Sequence, residues 1–124
     1  MAKIDEIKKL LENISTIRFA YLFGSYATNK QTKISDIDIA VYLNDDDNNF
    51  DTKLQIHHLL EIKLKKPIDL LVLNNAKNYN LLENIFKENI LLKESLDDER
   101  IMFELRKEHE ILDYKVFQRM LDIA

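Results

Sequence analysis

Apolar residues recur along this chain in two rhythms, and each change of rhythm marks a new element. Ile4, Ile7, Leu10, Leu11 and Ile14 fall at helical spacing with Lys and Glu on the other face, which predicts an amphipathic helix over residues 3–13. TIRFAYLF, residues 16–23, is rich in β-branched and aromatic side chains and runs into Gly24, the pattern of a buried strand ending in a tight turn. Residues 25–35 are small, polar or basic and read as a loop or short helix. DIDIAVYL, residues 36–43, then alternates with period two. Asp36, Asp38, Ala40 and Tyr42 share one face, and Ile37, Ile39, Val41 and Leu43 the other.

NDDDNN, residues 44–49, reads as an exposed loop, and Leu54, His58, Leu59 and Ile62 mark a second helix ending near Lys65. Pro67 opens the IDLLVLNN segment, where a missing N–H is tolerated, so residues 68–73 are predicted as a third strand. YNLLENIFKEN predicts a short helix, ILLKES a brief extended return, and residues 97–122 a long helix with acidic residues at its start. The expected fold is α/β (α+β): one small mixed sheet, helices packed mainly on one face, and an acidic cleft on the other. In the last helix Ile101, Leu105, Leu112, Val116 and Met120 form a stripe, broadened by Met102, Phe103, Tyr114 and Phe117. Such a stripe either packs on its own sheet or docks a partner or a second copy.

Composition narrows the function. A length of 124 residues predicts a single domain, 1–124, with one core. A net charge of -4 gives no broad positive field, so direct nucleic-acid binding is not expected. The absence of cysteine fits a reducing cytosol, and no run approaches the ~18 apolar residues of a membrane span, so the expected location is cytoplasmic, with no membrane partner.

The chemistry gathers around one residue. Gly24 is the only glycine, where an average chain of this length carries about nine. Ser25 follows it, Asp36 and Asp38 come ten residues later on one face of the next strand, and Asp69 lies near the start of the third. An adjacent third strand brings the three carboxylates into one patch. Clustered carboxylates repel unless a cation neutralises them, and hard oxygen donors suit Mg²⁺ or Mn²⁺ held with substrate phosphates. A glycine lets backbone N–H groups approach a phosphate, and a serine hydroxyl adds a donor. Asp-x-Asp alone usually means only that one strand face meets water; the conjunction with a unique glycine, the spacing and a third Asp in phase is what points to a site. His57 and His58 are adjacent on a helix and point apart, and Asp45, Asp46 and Asp47 read as a solvated run, so neither group is counted in it.

The stretch GSYATNKQTKISDID resembles the motif of the nucleotidyltransferase superfamily related to DNA polymerase beta. FGSYA, SDIDIAV and IDLLVLNNA are most similar to its minimal nucleotidyltransferase (MNT) branch. The resemblance implies two metal ions, Mg²⁺ with Mn²⁺ as a substitute, on Asp36 and Asp38, and ATP attacked at its α-phosphorus with release of pyrophosphate. It implies Asp69 as a ligand of the metal near the attacking hydroxyl or as acceptor of its proton, and Gly24 and Ser25 as holders of the β and γ phosphates. Many relatives follow GSYA with Arg and Gly; this chain has Thr28 and Asn29, which leaves Lys30 or Lys33 to meet the triphosphate as a point charge. The branch further implies a partner, a HEPN-domain ribonuclease toxin, and members of the MntA type silence it by moving AMP onto a tyrosine. The expectation is therefore an Mg-dependent protein adenylyltransferase acting as antitoxin, alone, as a homo-oligomer or in a hetero-oligomer with its toxin. The alternative is a binding-only antitoxin or structural partner with a weak or inactive nucleotide site. Transfer to a small molecule is disfavoured because the chain has no length for an added lobe.

Overall fold

The computed structural model describes residues 2–123. The elements follow in the order α1 (Ala2–Glu12), β1 (Ile17–Phe23), a 3₁₀ turn (Gly24–Tyr26), β2 (Ile37–Leu43), a second 3₁₀ turn (Asp45–Asp47), α2 (Phe50–Leu64), β3 (Ile68–Val72), α3 (Tyr79–Lys87), β4 (Ile90–Lys93) and α4 (Glu99–Ile123). The four strands form one sheet in the order β3-β2-β1-β4. β1 runs antiparallel to β2 and β4, whereas β2 and β3 are parallel, because α2 carries the chain back to the same end of the sheet. The α+β class and the mixed sheet are those the sequence predicts.

Both faces of the sheet are covered. On one, Ile37, Ile39, Val41 and Leu43 of β2 pack with Ile7 and Leu11 of α1 and Ile56, Leu60 and Leu64 of α2. On the other, Phe19, Tyr21 and Ala40 pack with Leu82 and Ile85 of α3 and Phe103 and Ile111 of α4. The helices therefore divide more evenly than the pattern suggests: α1 and α2 cover one face, and α3 and α4 cover part of the second. β1 is buried at every position but Arg18, and each such large apolar side chain contributes about 1.5–3 kcal/mol.

Two stripes differ from their sequence reading. In α2, Leu54, Leu59 and Ile62 are exposed, and the buried face is Ile56, Leu60 and Leu64. Apolar residues surround this helix, so periodicity alone does not choose the inward face. In α4, Ile101, Leu105, Leu112, Val116 and Met120 are all exposed, and the helix instead buries Phe103, Lys107 and Ile111. Lys107 is only 3% exposed; its ammonium donates to the Ala76 carbonyl at 3.3 Å and to Glu110 at 3.2 Å. Beyond Ile111, Leu112, Val116, Phe117, Met120 and Leu121 face outward. The start of α4 is fixed by Tyr21, whose hydroxyl donates to Glu104 at 2.6 Å, and by Arg100, which bridges Glu104 and Glu94. Burial and the Glu104 carboxylate both push the Tyr21 phenol well above its usual range.

Local chemistry sets the ends. Asn49 caps α2 by accepting the Thr52 N–H at 2.9 Å, and Asn78 caps α3 by accepting that of Leu81 at 3.2 Å. α2 stops at Lys65, which takes the left-handed conformation with φ 56°. The Asn74 side chain holds both backbone groups of Leu43, at 2.9 and 2.8 Å, and so closes β2 against the loop after β3.

Candidate active site

The strand registers bring the acidic residues together. Asp38 stands opposite Phe23 of β1 on one side and opposite Asp69 of β3 on the other. Opposed residues on neighbouring strands project from the same face, so Asp38 and Asp69 are side-by-side neighbours, and Asp36, two residues before Asp38, sits at the rim of the same patch. Asp36 and Asp69 are exposed and Asp38 is half-buried. The Asp38 carboxyl is pushed up to about 6, first by burial, then by hydrogen bonding with Asp69 and by the charges of Asp69 and Asp36.

Gly24 closes the patch from above. Its φ is +70°, in the left-handed region that side chains disfavour. A Cβ built on it would stand 2.1 Å from Asp38 Oδ2 and 3.0 Å from Asp38 Cγ. The sole glycine is thus required twice, by its backbone conformation and by a carboxylate lying against it. The chain then makes a single 3₁₀ turn rather than an α-helix. The Thr28 hydroxyl donates to the Gly24 and Ser25 carbonyls at 3.3 and 3.4 Å, and the Lys30 N–H donates to the Ser25 carbonyl at 2.9 Å, which folds the loop back on itself. Ser25 is half-buried beside Gly24.

Lys30 and Lys33 lie exposed on this loop, and among the described residues neither ammonium group makes a hydrogen bond or ion pair. The cation that does engage the loop is Lys66, which the sequence pattern did not single out. Its ammonium donates to the Lys33 carbonyl at 3.2 Å and lies 5.9 Å from the centre of the Tyr26 ring. His57 ties α2 to the edge strand, with Nε2 2.7 Å from the Ile68 carbonyl and 3.4 Å from Glu61, while His58 is exposed. Asp45, Asp46 and Asp47 form an outlying turn.

The donor set suits a hard divalent cation: oxygen ligands only, crowded enough to hold one carboxyl near 6. Among the described residues no three His, Cys, Asp or Glu side chains form a ready-made cage, so a cation here would complete its shell with phosphate and water oxygens. Next to Gly24 a cavity of about 450 Å³ opens between the turn, at Phe23 and Thr28, and α3, at Leu81, Asn84 and Ile85, with Glu88 just past the helix end. Nothing in the periodicity of α3 announces it, because the cavity arises from the distance between two elements rather than from either one. A further cavity, about 310 Å³, lies between α3 and α4, away from the acidic patch. Among the described residues no helix is long and apolar enough to cross a membrane.

Comparison with known proteins supplies relatives in sequence and in fold. The protein adenylyltransferase MntA of Shewanella oneidensis is 39% identical over 70 residues, covering 56% of this chain and half the length of that enzyme. A solved toxin–antitoxin complex with AMP-PNP contains a chain that superposes with a TM-score of 0.76 at 26% identity, covering 98% of this chain and 94% of that one. The complex of a tri-AMPylated Shewanella oneidensis HEPN toxin with its MNT antitoxin gives a TM-score of 0.73 at 24% identity, covering 98% and 94%, a likeness of fold. The sequence pattern of the family described as polymerase beta, nucleotidyltransferase, matches residues 5–99. A strand, a glycine turn and an Asp-x-Asp strand fall within that span, and the chain belongs to the polymerase beta nucleotidyltransferase family.

Proposed function

We propose that this chain is a cytoplasmic protein adenylyltransferase that moves AMP from ATP onto a hydroxyl of a HEPN-type ribonuclease toxin, a tyrosine in particular, and thereby acts as its antitoxin. The observation that carries the reading is the fit of the Asp38 carboxylate beneath a glycine whose Cβ would fall 2.1 Å from Oδ2, beside Asp69 on the next strand. A half-exposed carboxylate pair against a glycine turn suits a site where phosphate and cation meet. The MntA relative and the fold neighbours in toxin–antitoxin complexes support the substrate and the partner.

In this reading Asp36 and Asp38 would hold Mg²⁺, with Asp69 as the third carboxylate. Bound Mg²⁺ would neutralise charge on the attacking and leaving oxygens of an in-line displacement. Gly24 and Ser25 receive the β and γ phosphates through backbone N–H groups and the serine hydroxyl. Asp69 accepts the proton of the attacking hydroxyl or orients it, the oxygen attacks the α-phosphorus, the bond to the bridging oxygen breaks, and pyrophosphate leaves. Lys30 and Lys33 supply mobile positive charge at the loop. The exposed half of α4, with Leu112, Val116, Phe117 and Met120, is the docking element for the toxin.

The test is to incubate the chain with ATP, Mg²⁺ and the toxin and to weigh the toxin by mass spectrometry. An AMP-sized adduct is expected with the native chain. With Asp36→Ala and Asp38→Ala combined, the complex should form without an adduct. A complex that forms with no adduct even for the native chain would replace this reading with neutralisation by docking alone.

A further inference from the structure

The outer edge of β3 has no part in the roles given above, and we infer that it holds the protein acceptor: a tyrosine-bearing segment of the toxin adds to it as an extended antiparallel strand. The inference rests on the adenylyltransferase reading and extends it to how the protein substrate is bound. β3 stands at the end of the sheet and, among the described residues, pairs with β2 alone. The ladder fixes which of its backbone groups are spare. The Ile37 N–H donates to the Pro67 carbonyl at 3.0 Å and the Leu73 N–H to the Val41 carbonyl at 2.8 Å. Residues 67, 69, 71 and 73 therefore turn toward β2, and Ile68, Leu70 and Val72 turn their N–H and C=O groups outward. Ile68 is already satisfied, since its carbonyl lies 2.7 Å from His57 Nε2 and its N–H donates to Glu61 at 3.2 Å. Beyond the β2 ladder, no hydrogen bond among the described residues reaches the backbone of Leu70 or Val72. A short open edge thus begins one residue past Asp69.

The position of this edge selects its occupant. Asp69 belongs both to the acidic patch and to the border of a groove of about 210 Å³ between β3 and α2. The edge is therefore continuous with the candidate active site, and an antiparallel strand paired to Leu70 sets one residue directly beside Asp69 with its side chain on the same face. A tyrosine there brings its hydroxyl to the patch. Its two neighbours in sequence point to the opposite face, the one that carries Ile68 and Leu70. On that side the groove presents the exposed apolar side chains of Phe50 and Leu54, with His57 between helix and strand. The recognised segment is extended, with an apolar residue on each side of the tyrosine, and is held by backbone pairing and by those neighbours, as an open sheet edge takes a peptide. A second copy of this chain is the poorer occupant. Two β3 strands paired about Leu70 would set the second Asp69 diagonally across from the first and add a like charge to a patch that already crowds three carboxylates.

The experiment gives the full chain ATP, Mg²⁺ and either the toxin or a capped peptide of sequence Lys-Val-Tyr-Val-Lys, and reads AMP transfer by mass spectrometry. The peptide should be labelled. N-methylation of both valines, which removes the N–H that pairs with Leu70, should cut labelling by about tenfold. N-methylation of the tyrosine alone should change it by less than about twofold, because at that position the N–H turns away from β3. On the toxin, Leu54→Asp, a change at an exposed position of the groove, should raise the KM for toxin by about tenfold and leave the KM for ATP unchanged. If the toxin takes AMP but the peptide does not, if the two methylation patterns act alike, or if Leu54→Asp leaves the KM for toxin unchanged, the edge assignment fails and the transferase reading stands. A chain that sediments as a dimer, becomes a monomer on Leu54→Asp and still labels the toxin normally gives the edge to a second copy and also overturns the assignment. If the native chain puts no AMP on the toxin, both readings fail together.

Discussion

Replacing Gly24 with alanine isolates what the sole glycine does. Two costs arise, and the structure separates them. The first is the backbone: φ +70° costs a residue with a Cβ about 1–2 kcal/mol. The second is the contact: the new Cβ would stand 2.1 Å from Asp38 Oδ2, so the carboxylate must swing aside. That atom is the far end of a side chain rather than backbone, and leaving a favoured rotamer costs about 0.5–1.5 kcal/mol. Gly24→Ala should therefore destabilise the chain by about 2–3 kcal/mol, a fall in Tm of roughly 10 °C for a domain of this size. In an Asp38→Ala background the clashing Oδ2 and Cγ are gone, the nearest remaining contact is the Cβ at 3.3 Å, and only the backbone cost survives. The double-mutant cycle should show a coupling of about 1 kcal/mol, with the double variant more stable than additivity requires. Urea denaturation followed by circular dichroism measures all four species with one probe. Transfer by Gly24→Ala alone should drop by about 100-fold or more, because a reacting group moves by an ångström or more. A coupling near zero would refute the claim that the glycine makes room for the carboxylate.

Asp38→Asn carries a pH signature. The folded carboxyl sits near 6, above its ordinary 3.8, so its stabilising contribution is complete below about 3.8 and is lost as pH rises through 6. A rise of about two pH units would set a ceiling of ~3 kcal/mol, and solvent screening at this half-open patch reduces it to about 1 kcal/mol. In chelator-treated protein, Asp38→Asn should melt roughly 4 °C above the native chain at pH 8 and show no advantage near pH 4; a constant gap would contradict the crowding. Lys65→Gly should raise stability by about 1 kcal/mol, since φ 56° at the end of α2 suits glycine; an unchanged midpoint in urea would show that Lys65 makes contacts that offset its backbone strain.

The neighbouring placement of the candidate carboxylates was more legible in the sequence than the layers around them. The period-two alternation put Asp38 on the face opposite Ile37 and Ile39, and the parallel register then set Asp69 beside it; β2 begins at Ile37, so Asp36 stands just before the strand rather than in it. The helices were harder to orient. α2 and α4 carry apolar residues on more than one face, and which face turns inward depends on the sheet beneath: Ile56, Leu60 and Leu64 in one, Phe103 and Ile111 in the other. Lys107 could not have been read as buried, because its burial depends on the Ala76 carbonyl and Glu110 meeting it in space. The Gly24 cavity and the Lys66 contact with the loop after Gly24 have the same origin, since each joins residues about 30 to 60 positions apart.

The scarcity of glycine also reaches the unfolded chain. Four non-glycine residues, Asn29, Lys65, Asp97 and Asp98, hold positive φ among the described residues, in positions where glycine is the usual choice. Each carries native-state strain of about 1 kcal/mol. In return, a chain with one glycine rather than about nine has fewer backbone states to lose on folding, by about 0.4–1 kcal/mol for each position whose conformation suits a side chain. Part of this fold's stability therefore lies in a denatured ensemble that is already narrow, and the single glycine joint left in it is the one that lies against Asp38.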